Sequence, residues 1–204
     1  FSTDWLTSKA IDFINTNKGK PFCYYLSLPD PHGPNTVRAP YDTMYVDVKV
    51  PIPASLTRQP GQIPRWGKSA NVTAAQLRRI MPAYYGMVKC IDDNVGRILN
   101  ELRKHDLIDH TMIVFTSDHG EMLGDHHLWR KTYAYEASAR VPFIVRPPGA
   151  MQAERNVEVE QVVGWEDIMP TFLEAAGAPI PDCVEGRSVL PLLRGEADGW
   201  RPHY

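Results

Sequence analysis

The sequence predicts an α/β layered fold with a largely parallel central sheet flanked by helices. Two observations support this class. First, short segments alternate along the chain with longer segments of helical periodicity. Second, the short segments are almost entirely apolar. Strands of that kind are typical of sheets that helices cover on both faces. The 204 residues, 43% of them hydrophobic and 23% charged, are enough to bury a sizeable core.

Apolar residues at spacings of three and four predict the helices. The predicted helices cover about residues 2–19, 73–102 and 167–176. Gly19 and Gly177 end the first and the third, because glycine is a common helix terminator. Thr73 and Gln76 have the spacing of a capping box at the start of the long helix.

Four short apolar segments are predicted as strands, at residues 22–28, 111–117, 141–146 and 157–163. Between the first strand and the long helix, residues 30–70 contain many prolines and little periodicity. A loop of that length inside a domain is usually functional or disordered. Its basic and aromatic side chains are expected at the rim of a pocket, or simply exposed: Arg38, Arg58, Arg65, Trp66 and Lys68.

Composition excludes several classes of protein. A net charge of -2 with no basic stripe argues against nucleic-acid binding. No apolar run reaches the roughly 18 residues of a membrane span. The three cysteines lack metal-ligand spacing, and we expect Cys23 and Cys90 to be core residues. The chain begins with Phe1 and has no signal peptide, so we expect it to start in mid-protein.

Two polar loops follow predicted strands. Residues 29–34, PDPHGP, come after the first strand, and residues 117–121, SDHGE, come after the second. If these strands are parallel, both loops lie at the carboxyl edge of the sheet, where ligands bind in open α/β folds. His32 would then face the ionisable residues of the second loop.

Asp118 and His119 are candidate metal ligands. A carboxylate at the end of a buried strand is costly unless it is paired or binds a cation. Hard cations prefer oxygen ligands, which makes Asp118 credible, and His119 could ligate the ion or donate to a bound anion. The alternative is that Asp118 caps a local turn and His119 is solvated.

Other ionisable residues allow two interpretations each. Lys131 could neutralise negative charge that develops on a substrate, or it could be an ordinary surface lysine. His32 could act in the same site or be an exposed loop histidine. Asp125, His126 and His127 could support the site residues or simply hold their loop, and two adjacent histidines alone are weak evidence for zinc.

Together these segments resemble the sulfatase family of the alkaline phosphatase superfamily. Six blocks appear in the expected order: TDWLTSKAIDFI with KPFCYYLSLPDPHGP, YYGMVKCIDDNVGRIL, TMIVFTSDHGEMLGDHHLWRK, ARVPFIVRPPG, DIMPTFLEAAG and EGRSVLPLLRG. The resemblance implies that residues 1–204 are a single partial catalytic domain with an alkaline-phosphatase-like fold.

The resemblance also implies roles for individual residues. Asp118 and His119 match metal ligands of the family, with calcium as the expected ion and magnesium or manganese as alternatives. Lys131 and His32 match residues that contact the sulfate group or the leaving oxygen, which makes them the expected catalytic residues. His126 is expected to join them in binding the substrate.

The nucleophile of the family is not in this sequence. It is a formylglycine made from the Cys or Ser of a C/S-x-P-x-R motif. Cys183 begins the nearest match, CVEGR, which lacks the proline. We therefore expect the nucleophile and further metal ligands upstream of Phe1, and a small C-terminal sheet after Tyr204. The 204-residue chain alone is expected to be inactive.

The implied activity is metal-dependent hydrolysis of a sulfate ester of a small molecule or a carbohydrate. A phosphonate monoester or phosphodiester hydrolase of the same superfamily is the first alternative, and a non-catalytic homologue is the second. The resemblance favours a periplasmic or secreted protein. Oligomeric state stays open.

Overall fold

The computed structural model describes residues 1–57, 72–131, 133–151, 153 and 156–202. Its helices are α1 (Ser2–Asn17), α2 (Ala74–Lys104), α3 (Glu136–Ala139), α4 (Ile168–Ala175) and α5 (Leu190–Leu193), and its strands are β1 (Ile113–Thr116) and β2 (Phe143–Arg146). Short 3-10 helices cover Ala54–Thr57, Ile108–His110, Asp125–His127 and Trp165–Asp167. The chain divides into two units, residues 1–108 with 119–140, and residues 109–118 with 141–204.

Helix α2 begins with the predicted capping box. The Gln76 N–H donates to Thr73 Oγ1 at 3.2 Å, and the Thr73 N–H donates to Gln76 Oε1 at 2.8 Å. These two bonds satisfy backbone donors that the first turn leaves without helical partners. The helix continues through Pro82 to Lys104 and packs against α1.

The first unit contains an apolar cluster around the start of α2. Its buried members are Val50, Val72, Leu77 and Met81. Partly buried side chains pack against them: Ile52, Leu56, Tyr85, Leu123 and Trp129. Since Leu123 and Trp129 come from the segment after the second polar loop, this cluster fixes that segment against α2.

The carboxylate of Asp4 joins three segments of the first unit. Arg38 donates from Nε and Nη2 to the two oxygens of Asp4, each at 2.8 Å, and Asn94 Nδ2 donates to Asp4 Oδ1 at 3.3 Å. The hydrogen bond from Arg38, opposed in part by burial, lowers the pKa of Asp4 from 3.8 to about 2. Arg38, which we expected at a pocket rim or exposed, is thus bound to α1. Arg58, Arg65, Trp66 and Lys68 lie outside the described residues.

The second unit contains the strand pair. β1 runs antiparallel to β2, with Ile113 opposite Arg146 and Thr116 opposite Phe143. Two of the four predicted strands are thereby confirmed, in shorter form. Because the pair is antiparallel, the described residues do not show the largely parallel sheet that the sequence predicts.

The strands predicted at residues 22–28 and 157–163 are wrong for the described part of the chain. A strand needs a hydrogen-bonded neighbour, and neither segment pairs with another described segment. Phe22 and Tyr24 instead place their rings against Phe13 of α1, with ring centroids 5.6 Å and 4.5 Å apart. Cys23, expected in the core, is exposed because this segment does not pack as a buried strand among the described residues, whereas Cys90 is buried as predicted.

Asp167 is a buried charged residue of the second unit. Its carboxylate accepts the backbone N–H groups of Gly164 and Arg187, at 2.9 Å and 2.8 Å, and pairs with the Arg201 guanidinium. The side chain is fully buried, so these partners offset the cost of removing it from water. The adjoining helix α4 confirms the prediction for this region, and Gly177 follows it with a positive φ of 67°.

Within the part of the chain that the structure describes, no helix is both long enough and apolar enough to cross a bilayer.

Replacing Asp4 with asparagine is expected to reduce stability near neutral pH by about 1–2 kcal/mol, after discounting for partial exposure of the pair. The pKa of Asp4 in the folded protein, about 2, lies below its usual value of 3.8. The stabilisation from ionised Asp4 is therefore complete at pH values above 3.8 and is lost as the pH falls through the folded-state pKa. Thermal unfolding of the full-length protein at pH 7 and at pH 2 measures it: Asp4→Asn should cost stability at pH 7 and almost none at pH 2.

Asp12→Asn is the matched control, because Asp12 lies on the same helix and forms an exposed pair with Lys9. That variant should stay within about 0.5 kcal/mol of the parent. Equal effects of the two substitutions would show that Asp4 does not hold the unit together.

Candidate active site

A cavity of about 340 Å³ lies in the first unit and contains two of the predicted site residues, His32 and Lys131. Its other lining residues are Pro31, Gly33, Pro34, Asn35, Tyr84, Glu121, Leu123, Trp129 and Arg130. The structure thus brings the proline-rich loop, which begins at residue 30, and the segment before α3 to one cavity. Their common location supports the interpretation of both residues as parts of a site.

His32 is an exposed residue held by its own loop. Its N–H donates to the carbonyl of Pro29 at 3.0 Å, and its ring Nδ1 lies 2.8 Å from the carbonyl oxygen of Gly33. A carbonyl only accepts, so Nδ1 carries the proton in this contact. In the neutral ring Nε2 is then the acceptor, and protonation makes it a donor.

Lys131 lies in a segment that the backbone closes into a loop. The Gly120 N–H donates to the Ser138 carbonyl at 2.8 Å, and Ser138 Oγ donates to the Lys131 carbonyl at 2.9 Å. The Met122 N–H donates to the Arg130 carbonyl at 2.8 Å. We call residues 120–138 the lysine loop. These hydrogen bonds fix the backbone on both sides of Lys131.

Two glycines allow the lysine loop to pack closely. A Cβ at Gly120 would lie 2.1 Å from the carbonyl oxygen of Ala137. Gly124 has a φ of 90°, and a Cβ there would lie 2.6 Å from Leu77 Cδ1. Only glycine adopts both features without strain or displacement. The sequence shows these glycines, but not the close approaches that require them.

Asp125 and His126 serve the loop itself. Ser55 Oγ donates to the Asp125 carboxylate and accepts the His126 N–H at 2.8 Å. The His126 ring stacks on Tyr135, with ring centroids 4.1 Å apart and an interplanar angle of 16°. These contacts favour the interpretation that this turn holds the loop. His126 is not among the residues that line the cavity, and its role toward a substrate stays a prediction.

Asp118 and His119 are placed by their immediate neighbours. Asp118 is exposed, and Ser117 Oγ donates to its carboxylate at 3.4 Å. His119 Nδ1 lies 2.8 Å from the Gly120 carbonyl oxygen, which fixes the proton on Nδ1 and makes Nε2 the acceptor of the neutral ring. Metal-binding histidines commonly have their second ring nitrogen held this way.

The donor types of these two residues fit a divalent cation, but they do not complete its shell. Within the described residues, no three His, Cys, Asp or Glu side chains are grouped closely enough to hold a metal ion. Calcium takes about six to eight oxygen ligands. Asp118 and His119 can therefore form only part of a ligand set.

Sequence reasoning missed several residues of the cavity. Trp129 and Arg130 immediately precede Lys131, so their proximity was a usable signal. Tyr84 lies within the predicted long helix at residues 73–102, and nothing in its spacing indicated a cavity. Burial, followed by the negative charge of Glu121, raises the pKa of Tyr84, so its phenol stays protonated at neutral pH.

A family model described as Sulfatase matches residues 1–178. The chain belongs to the sulfatase family. An arylsulfatase of Clostridium perfringens is 35% identical over 210 residues, covering 98% of this chain and 44% of its own length. The multifunctional alkaline phosphatase superfamily protein PehA of Trinickia caryophylli is 33% identical, covering 98% of this chain and 43% of its own.

Solved structures show the same relationship. The phosphonate monoester hydrolase SpPMH of Silicibacter pomeroyi has a TM-score of 0.86 and 33% identity, over 98% of this chain and 43% of its own. BT4656, solved with its substrate D-glucosamine-2-N,6-O-disulfate, has a TM-score of 0.78 and 25% identity, over 98% of this chain and 54% of its own. The fold is therefore sulfatase-like and alkaline-phosphatase-like. The chain spans less than half the length of the two curated relatives.

Gly120→Ala is expected to lower the stability of the full-length protein by about 1–3 kcal/mol, because the added methyl group must displace the Ala137 carbonyl. Gly96→Ala is the matched control. It lies inside α2 with nothing within 4 Å of the added carbon, so it should stabilise the protein by about 0.5–1 kcal/mol. Thermal unfolding compares the two variants, and an unchanged melting temperature for Gly120→Ala would contradict the loop closure.

Proposed function

We propose that this chain is part of a metal-dependent sulfuric ester hydrolase of the arylsulfatase type, acting on a sulfate ester of a small molecule or a carbohydrate. The observation that carries the proposal is the cavity that His32 and Lys131 share in a member of the sulfatase family. Its relatives include an arylsulfatase at 35% identity. A sulfated amino sugar is the substrate of BT4656, which favours a carbohydrate ester as one substrate class.

In this proposal Lys131 binds the sulfate group. Its ammonium stabilises the negative charge on the non-bridging oxygens, and the effect is larger when that charge grows in the transition state. The lysine loop holds the backbone at Lys131, so less reorganisation is needed when the ester binds. His126 is proposed as a further substrate contact because it belongs to the same loop.

His32 is proposed as the general acid. Cleavage of the sulfur–oxygen bond leaves an alkoxide or phenoxide that requires a proton. With Nδ1 held by the Gly33 carbonyl, the protonated ring presents Nε2–H as the proton to transfer. An exposed ring next to the cavity can also recover a proton from water after each turnover.

Asp118 and His119 are proposed as two ligands of the metal ion, with calcium as the first candidate and magnesium or manganese as alternatives. The ion would supply Lewis-acid stabilisation of the sulfate oxygens. The contact of His119 Nδ1 with the Gly120 carbonyl orients its ring for that role. A formylglycine nucleophile, further metal ligands and the largely parallel sheet are proposed for the longer protein. A periplasmic or secreted location is proposed from relatives such as the Drosophila melanogaster extracellular sulfatase SULF-1 homolog, 32% identical.

A second candidate function is hydrolysis of phosphonate monoesters or phosphodiesters. The TM-score of 0.86 to a phosphonate monoester hydrolase favours it specifically. These esters share the tetrahedral anionic centre of a sulfate ester, so Lys131 and His32 would have the same roles. Parallel assays of the full-length protein on 4-nitrophenyl sulfate and 4-nitrophenyl phenylphosphonate rank the two substrates, and activity on neither would favour a non-catalytic homologue.

Lys131→Met and His32→Gln are each expected to lower kcat/KM of the full-length protein by about 100-fold or more, because each removes charge or proton transfer in the transition state. The His32→Gln loss should grow with the basicity of the leaving alcohol, since a poor leaving group depends more on the proton. Lys104→Met is the control: Lys104 is exposed at the end of α2 and pairs with Glu101. Losses as small as the control would overturn the assignments.

Chelation of divalent cations from the full-length protein is expected to abolish hydrolysis, and added calcium is expected to restore it. Asp118→Asn should weaken calcium binding by about 10-fold or more, because it removes the charged oxygen donor. Asp109→Asn is the control, since that carboxylate pairs with Arg146 instead. Calorimetric titration measures the affinity, and tight calcium binding by Asp118→Asn would contradict the assignment.

A further inference from the structure

The cavity of His32 and Lys131 has an apolar part that the proposed reaction does not use. Tyr84, Leu123 and Trp129 line it together with the two catalytic candidates. A sulfate or phosphonate group is bound by cations and hydrogen-bond donors, so apolar side chains contribute little to that group. They are available for the organic part of the ester.

We propose that Tyr84 and Trp129 bind a single six-membered ring in the alcohol part of the ester and so determine specificity. The inference rests on the proposed function of the same cavity. An aryl ring and a pyranose both present an apolar face that packs against an aromatic side chain. A linear alkyl alcohol has no such face.

Trp129 is held in place before any ligand binds. Its side chain packs against the apolar cluster that contains Leu77 and Met81 at the start of α2. Leu123, which also lines the cavity, packs against the same cluster. A side chain that is already ordered loses little conformational entropy when a ligand contacts it, so its contact contributes more to affinity.

The backbone at Tyr84 is held by helix α2, which carries it. The next residue, Tyr85, packs against the same apolar cluster and meets Tyr45 edge to face, with ring centroids 5.9 Å apart. Tyr84 is half-buried, and a tyrosine phenol is neutral at neutral pH. A neutral ring does not repel an anionic ester, so Tyr84 suits the organic group of such a ligand.

The volume of the cavity limits the size of that group. At about 340 Å³ it lies at the small end of ligand sites, which commonly measure about 300–1,000 Å³. One ring with its anionic group suits this size, whereas a chain of several sugars would extend out of the cavity. The expected substrates are therefore esters in which one ring carries the reacting group.

Binding of sulfonates to the full-length protein tests the inference without turnover. In a sulfonate, carbon is bonded directly to sulfur, so the carbon–oxygen–sulfur linkage that hydrolysis would cleave is absent. The probes are phenylmethanesulfonate, 6-deoxy-6-sulfoglucose and butanesulfonate, with inorganic sulfate as the reference. By isothermal titration, at least one ring sulfonate should bind about 10-fold more tightly than butanesulfonate. The better of the two ring probes distinguishes an aryl from a sugar substrate.

Substitutions assign that preference to the aromatic residues. The ring preference is the affinity for the better ring sulfonate divided by the affinity for butanesulfonate. Trp129→Leu and Tyr84→Leu should each reduce this ratio to about 3-fold or less, while butanesulfonate affinity changes by less than about 2-fold. Trp129→Phe should retain most of the preference because it keeps an aromatic face. Trp5→Leu is the matched control, since Trp5 is 61% exposed on α1 and does not line the cavity.

Trp129 also contacts the apolar cluster, so thermal unfolding of each variant accompanies the titrations. If Trp129→Leu fails to fold, Tyr84→Leu and Trp129→Phe carry the test. Equal binding of ring and linear sulfonates, or a ring preference that survives both leucine variants, would overturn the inference. A ring preference in a protein that hydrolyses neither ester would support it and overturn the proposed function instead.

Discussion

The closure of the lysine loop is the constraint on which the candidate site depends. Lys131 has a long flexible side chain, and its ammonium can act at a defined position only if the backbone beneath it is fixed. Gly120 and Ser138 close the loop at its base, and Ser138 Oγ holds the Lys131 carbonyl. Met122 and Leu128, both fully buried, secure its interior. Residues of the lysine loop thereby form part of the cavity wall.

Each unit also contains a carboxylate that joins segments distant in the chain. Asp4 joins α1, the proline-rich loop and α2, while Asp167 joins the start of α4 to residues near 187 and 201. Their environments differ. Asp4 is partly exposed and depends mainly on the bidentate bond from Arg38, whereas Asp167 is fully buried and requires several partners at once. An arginine is a partner in both, and at Asp4 the planar group of Arg38 donates two parallel hydrogen bonds to the carboxylate.

Local sequence signals predicted part of this fold well. The capping box at Thr73, the helix stop at Gly177 and the two confirmed strands all follow from a few neighbouring residues. The strand predicted at residues 22–28 failed because an apolar run does not specify its hydrogen-bonded partner. Pairing is a long-range property, and the described residues provide no partner for that segment. The pairing of Arg38 could not be predicted for the same reason, since its partner Asp4 lies 34 residues earlier.

The sequence suggested candidate residues and a chemistry for the site, but it did not give the shape of the cavity. The types of His32 and Lys131 already indicated proton transfer and binding of an anion, and the cavity brings them together. Tyr84 could not be recognised, because an aromatic residue in an apolar pattern has the same signature in a core and in a cavity wall. Trp129 had the signal of its proximity to Lys131, but that proximity did not show which of the two its ring belongs to.

The structure separates these two cases by what each ring contacts. Trp129 packs on the apolar cluster and also lines the cavity, so it belongs to both the core and the site. A side chain that the core already orders loses little conformational entropy when a ligand contacts it. In the proposals above, Lys131 selects an anionic group, and the rings of Tyr84 and Trp129 select the shape of the organic group attached to it.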